Sequence, residues 1–244
     1  MLFEKLSAVN PNDPFSWGEK IFLTLDVDWA PDFAIEYVAE KLVERQIRAT
    51  WFVTHKSKAL KLLQDYSDLF ELGIHPNFRP DSSHGQSVEE VMQFCMELVP
   101  NAKSMRTHGL LQSSRILASV ATQWPISLDA SLFLPDQTNL KPFVTFFSGL
   151  PLLRVPTFWF DDYQMEKPNP SWKVRRRSLI HSGLKVFGFH PTHIYLNSSS
   201  RRARSEISAM YPDLAKVPQG VFDSSRHPGA GVETSFESLL DTAK

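Results

Sequence analysis

The chain predicts an α/β fold built from βα units, with a parallel sheet or barrel at its centre. Short strand-like runs alternate with amphipathic helices through the first half. The residues able to do chemistry fall at the ends of those runs, where α/β folds assemble their sites. No repeat, low-complexity stretch or shift of composition marks a boundary, so residues 1–244 are expected to form one domain.

The elements follow in order. Ile21–Leu25 reads as a strand, and Phe33–Gln46 as a helix with Ile35, Val38, Ala39, Leu42 and Val43 on one face. Ala49–Val53 carries the Thr, Trp, Phe and Val of a second strand. Lys58–Leu63 is helical, and a short strand closes at Gly73–His75. Val88–Leu98 and Ser113–Gln123 are helices, separated by a strand at Ser104–Thr107 and followed by another at Ile126–Ala130. Pro135–Pro151 reads as a loop-rich insertion, and Leu153–Phe160 and Lys185–His190 as further strands. Ser198–Arg204 is a polar connection, and Phe236–Ala243 a terminal helix.

Composition narrows the function. With 26 basic and 27 acidic residues, nothing draws the chain to nucleic acid. The lone Cys95 excludes a disulfide framework and a cysteine zinc site, and its apolar-periodic surroundings predict buried packing. No apolar run reaches the length of a membrane span, and Met1–Lys5 lacks the basic-then-apolar pattern of a signal peptide, so a cytoplasmic location is expected.

The most informative stretch is Phe22-Leu23-Thr24-Leu25-Asp26-Val27-Asp28-Trp29. On a strand, Asp26 and Asp28 point the same way. Two carboxylates on one face repel unless a cation lies between them, so the pair asks for a divalent metal. Of the eight histidines, His55, His75, His108 and His190 lie at predicted strand ends. Pro76 and Pro191 hold His75 and His190 extended. His84 follows His75 across a Pro- and Ser-containing loop, so the two rings could converge, and His108 competes with His84 as the third ligand. One carboxylate with two imidazoles leaves positions open for water and substrate. Zinc suits such donors, and cobalt, nickel or iron would also fit. Arg106 offers a charge-assisted pair to a catalytic carboxylate. Phe158–Asp162 ends an apolar run in two acids that could hold a histidine's tautomer or contact a sugar. Arg175-Arg176-Arg177 reads as a solvated face, or as a contact to a phosphorylated carrier.

Together, Thr24–Asp28, His75, Arg106 and His190 resemble the motifs of the polysaccharide deacetylases, carbohydrate esterase family 4, in order over roughly Ile21 to His193. Phrases such as His75-Pro76-Asn77 and Phe189-His190-Pro191 look like a divergent branch near bacterial surface-polysaccharide gene products. The resemblance implies a (β/α) barrel, incomplete or distorted, that removes acetyl groups from an N-acetylated sugar or polysaccharide with a divalent metal. It implies Asp26 as the general base, oriented by Arg106. Asp28 and His75 become metal ligands, with His84 or His108 as the third. His190 or His193 protonates the leaving amine, and Trp29, Trp159 and Asp162 contact the sugar. The first motif departs from the commonest pattern, since Val27 separates its acids, and the gap from His75 to His84 exceeds the usual four-residue spacing.

Three other readings compete. A haloacid-dehalogenase-like phosphatase would use Asp26 as nucleophile and Asp28 as acid. A nucleotide-sugar glycosyltransferase would hold its metal with the same pair. Neither gives His75, His108 or His190 a role. An inactive glycan-binding relative would be expected to have lost its base, whereas Asp26 is present.

Overall fold

In a computed structural model of the chain, which describes residues 2–174, 179 and 182–243, a curled and mostly parallel sheet runs through the centre. Its strands are β1 (Leu2–Phe3), β2 (Lys20–Asp26), β3 (Ala49–Val53), β4 (Phe70–Ile74), β5 (Ser104–Met105), β6 (Leu128–Asp129), β7 (Phe143–Phe147), β8 (Leu150–Arg154), β9 (Trp159–Phe160) and β10 (Val186–Phe189). Their order is β7-β8-β6-β5-β4-β3-β2-β10-β9, with β1 beside β2, and the β7–β8 hairpin alone is antiparallel among them.

One stretch of chain closes the curl. β8 pairs with β6 through Leu153 and Leu128, and β9 pairs with β10 through Phe160 and Gly188. Between them Thr157 bridges to Phe133, and the Val155 and Phe158 N–H groups donate to Asp129 O at 2.9 Å and Val186 O at 3.3 Å. The two sides of the sheet are therefore joined by residues 150–160, and the sheet forms a distorted (β/α) barrel.

Helices pack outside. They are α1 (Asp32–Glu44), α2 (Ala59–Asp65), α3 (Val88–Leu98), α4 (Ser114–Gln123), α5 (Asp161–Glu166), α6 (Pro191–Tyr195), α7 (Arg202–Met210), α8 (Gln219–Ser225) and α9 (Val232–Leu240). α1 buries the stripe Ala34, Ile35, Val38, Ala39 and Leu42 against outward-facing Leu23, Leu25 and Trp51. Ser87 and Glu90 form a reciprocal cap that starts α3. Inside the barrel the lower layer is apolar, with Phe22, Phe52, Leu128, Val155 and Val186 in contact and Leu6 and Trp17 beneath them. Polarity rises toward the strand ends, as Phe22, Thr24 and Asp26 illustrate along β2.

The structure corrects four expectations. Pro135–Pro151 is not merely a loop. Phe143-Val144-Thr145-Phe146-Phe147 forms β7, because β-prone residues meet a turn in which Ser148 and Gly149 adopt φ of 50° and 82°. Leu153–Phe160 is two strands rather than one, since its halves pair on different neighbours. Part of the polar Ser198–Arg204 connection starts α7 at Arg202, where buried Ile207 anchors the helix. The terminal helix begins at Val232, not Phe236, because Gly231 and Thr234 supply its cap. Arg175–Arg177 lie outside the described residues.

Gly188 of β10 lies close against β9, since a Cβ there would overlap the Phe160 ring. Gly188→Ala should therefore cost about 1–3 kcal/mol in urea unfolding. A loss below about 0.5 kcal/mol would show that the ring moves freely.

Candidate active site

Arg106 follows β5 and is fully buried on the barrel axis. Its Nη1 donates to Asp26 Oδ1 and Thr24 Oγ1, both at 2.8 Å, while Nη2 donates to Thr157 Oγ1 at 2.9 Å and Nε to Ala130 O at 3.1 Å. Its guanidinium carbon lies 4.7 Å from the Phe52 ring centre and 4.9 Å from that of Phe160. Four of its five N–H groups thus have acceptors, and two aromatic rings lie against the guanidinium. Asp26 is held in one orientation at the floor of a cleft of about 340 Å³.

Asp28 reaches the same cleft by a different route from the one periodicity suggested. β2 ends at Asp26, and Asp28 and Trp29 adopt left-handed φ of 47° and 55°. This strained turn is secured when Ala30 N–H donates to Val27 O at 2.8 Å and Trp29 N–H to Thr54 Oγ1 at 3.0 Å. The turn, not strand alternation, sets the separation of the two carboxylates.

Asp28 Oδ1 lies 3.1 Å from His75 Nε2 and 2.9 Å from His108 Nδ1. These three side chains form a donor group whose atoms all lie within 4.8 Å of one another. Burial disfavours the charge on Asp28, but hydrogen bonds with His108 and His75 outweigh it and hold the carboxyl well below its usual pKa. His75 follows β4 with Pro76 behind it, and the His108 N–H donates to Pro76 O at 2.9 Å, which brings the two rings together.

His190 caps α6, extended ahead of Pro191. Its Nδ1 lies 2.6 Å from Asp161 Oδ1, its backbone N–H donates to Asp161 Oδ2 at 2.8 Å, and its Nε2 points to Asp28 Oδ2 at 3.7 Å. Burial alone would lower its pKa. The buried Asp161 carboxylate, with Asp28 and Asp162 behind it, overrides burial and pushes it up to about 10. His193 differs. Burial, then the charge of His190, hold it well below the usual value, and its Nδ1 bonds Ser198 Oγ at 3.0 Å.

The remaining candidates separate. His84 lies outside the donor group. Its Nδ1 accepts from Asn77 N–H at 3.2 Å, its ring stacks on Phe94, and burial followed by the charge of His75 pushes its pKa down to about 4. Cys95 is buried beside it, with Sγ 3.5 Å from Nδ1. Trp29 lines a neighbouring groove rather than the cleft. Trp159 packs on Phe187 and Phe189. Asp162 lines the cleft, paired with Arg201 at 3.0 Å. Asp161, the partner of His190, was visible in sequence only as one of two acids after an apolar run. Arg79, Tyr163 and Arg204 also line the cleft, and no motif or spacing announces them.

A family profile described as "WbmS-like: Polysaccharide deacetylase" matches residues 23–207. The chain belongs to that family. A search of curated proteins gives no match. Among solved structures, this polysaccharide deacetylase family member is similar to a Bordetella bronchiseptica protein described as a "putative polysaccharide deacetylase involved in O-antigen biosynthesis". The two are 30% identical, with 98% of this chain and 97% of the other covered and a TM-score of 0.83. The phosphatase alternative is not favoured. It needs a free Asp26, and here that carboxylate is tied to Arg106. Deacetylases of this kind imply a divalent metal, and the donors fit one. A carboxylate oxygen and two imidazole nitrogens converge, and neither nitrogen has another partner among the described residues.

Arg106→Met should lower unfolding free energy by about 3–5 kcal/mol, because Asp26 is left buried and unpaired. The double variant with Asp26→Leu should recover most of that loss in urea titrations. A double variant no more stable than the single one would trace the cost to guanidinium packing instead.

Proposed function

We propose that the protein is a metal-dependent hydrolase that removes the acetyl group from an N-acetylated sugar in surface-polysaccharide metabolism, with residues 1–244 acting as one catalytic domain. The observation that carries this reading is a single cleft shared by three groups: the Asp28, His75 and His108 donors, the Arg106-paired Asp26, and His190 backed by Asp161.

Asp28, His75 and His108 hold the cation in this reading, and zinc matches their donor types. When bound, such a cation lowers the pKa of water and polarises an acyl oxygen. Asp26 takes the proton from the attacking water, with Arg106 fixing which oxygen faces the substrate. His190 delivers a proton to the leaving amine nitrogen from Nε2, because Nδ1 is engaged by Asp161. His193 is neutral at the same pH and bonded to Ser198, which favours His190 as the acid. A binding-only relative has no use for a paired base and a protonated histidine in one cleft.

Asp28→Ala and His108→Ala should each weaken zinc binding by more than about tenfold in calorimetry, while His84→Ala keeps it. Asp26→Asn should retain zinc yet release acetate from N-acetylated sugars about 10²–10⁴ times more slowly. Retained zinc in His108→Ala with loss in His84→Ala would move the third ligand, and stoichiometric zinc with no acetate release from any N-acetylated sugar would sink the deacetylase reading.

The His190 pKa is raised, so the acid form persists through neutral pH and is lost only as pH rises through about 10. Asp161→Asn removes the principal raising cause and leaves burial, which lowers. The alkaline limb of the activity profile should then move toward acid pH, as should the imidazole titration followed by ¹⁵N NMR. An unmoved limb would exclude His190 as the acid.

A further inference from the structure

The charges around the cleft do not cancel in pairs. Asp26 is matched by Arg106, and Asp28 lies between imidazoles. At the rim, Arg201 serves two acids, Asp162 at 3.0 Å and Glu166 at 2.8 Å. Arg79 and Arg204 also line the cleft, yet neither guanidinium has an ion pair or hydrogen bond among the described residues.

Arg79 is exposed at the rim, and Arg204 is half-buried. The Arg79 guanidinium lies against Gly109, directly after His108. Gly109 has φ 60° and lacks a Cβ, and a Cβ there would overlap the guanidinium. The loop carrying Arg79 is shaped when its N–H donates to Asn77 Oδ1 at 3.2 Å. Arg204 is half-buried on α7, close enough that its charge acts on His193. It lines both the cleft and the neighbouring groove that contains Trp29 and Lys56, so the two spaces meet at this residue.

Unmatched guanidiniums beside a reacting centre are suited to an oxyanion, which they grip with forked N–H pairs. We infer that the substrate carries a negative group next to its acetamido sugar, a phosphate or a carboxylate, and that Arg79 and Arg204 bind it. The inference rests on the deacetylase reading and names the substrate class of that site. A glycosyl phosphate and a uronic acid share this chemistry, and the groove beyond Arg204 has room for whatever the anion is attached to.

Calorimetric titration separates the possibilities. The full chain is titrated with N-acetylglucosamine, its 1-phosphate, its uridine-diphosphate ester and N-acetylglucosaminuronic acid. At least one charged sugar should bind about tenfold more tightly than the neutral one, and salt should erase the difference. Arg79→Gln and Arg204→Gln should each remove most of that advantage, with binding of N-acetylglucosamine reporting that the variant is folded. Whether the phosphates or the uronic acid gain decides the source of the anion. Equal affinity for neutral and charged sugars, equal weakening of both in the variants, or no binding of any charged sugar at about 10 mM overturns the inference. Acetate release by zinc-loaded protein on the same sugars scores the deacetylase reading separately. Charge-selective binding without acetate release fails that reading and leaves the anion site, and acetate release without charge selectivity does the reverse.

Discussion

A fully buried guanidinium on the barrel axis is the constraint on which the rest depends. Arg106 has no access to water, so its donors draw their acceptors from several parts of the wall. β2 supplies Thr24 and Asp26, the segment after β6 supplies Ala130, and the closing stretch supplies Thr157, while Phe52 and Phe160 pack against it. Thr24 passes the linkage on by donating to Phe187 O in β10 at 2.7 Å. One side chain thus ties most of the barrel together and aims Asp26 into the cleft. Stability and positioning of the candidate base are the same interaction.

Above that layer the histidines are sorted by their neighbours. His75 and His108 converge on one oxygen of Asp28, while His190 is turned toward Asp161 and held protonated. The charge on His190 helps keep buried His193 neutral, only three residues along the chain. His190 and His193, of identical intrinsic chemistry, therefore hold opposite states, because one meets the Asp161 carboxylate and the other a hydroxyl. The left-handed turn at Asp28 and Trp29 makes the arrangement possible by lifting Asp28 off the strand that carries Asp26.

Much of this was legible in the sequence. The alternation from Ile21 to Ala130 reads as βα units because parallel strands buried on both faces appear as apolar runs, and helices carry a single apolar stripe. Asp26, His75, Arg106 and His190 stand out because they interrupt or end such runs. The β7 hairpin was hidden by its prolines, and α7 by its arginines, since local polarity masked elements that packing stabilises. His84 and His108 could not be ranked by spacing. The loop from Pro76 to Gln86 turns His84 toward Asn77 and Phe94, and β5 brings His108 beside Asp28.

The sequence by itself determined the alternating architecture and the kinds of chemistry available, because periodicity and residue type are local properties. The tertiary structure decided which acid faces which base. It selected Asp161 rather than Asp162 as the partner of His190, brought His108 to Asp28, and set Arg79 and Arg204 on one cleft from segments more than a hundred residues apart. Those choices depend on where the curled sheet brings separate strand ends together, and the spacing along the chain does not encode that.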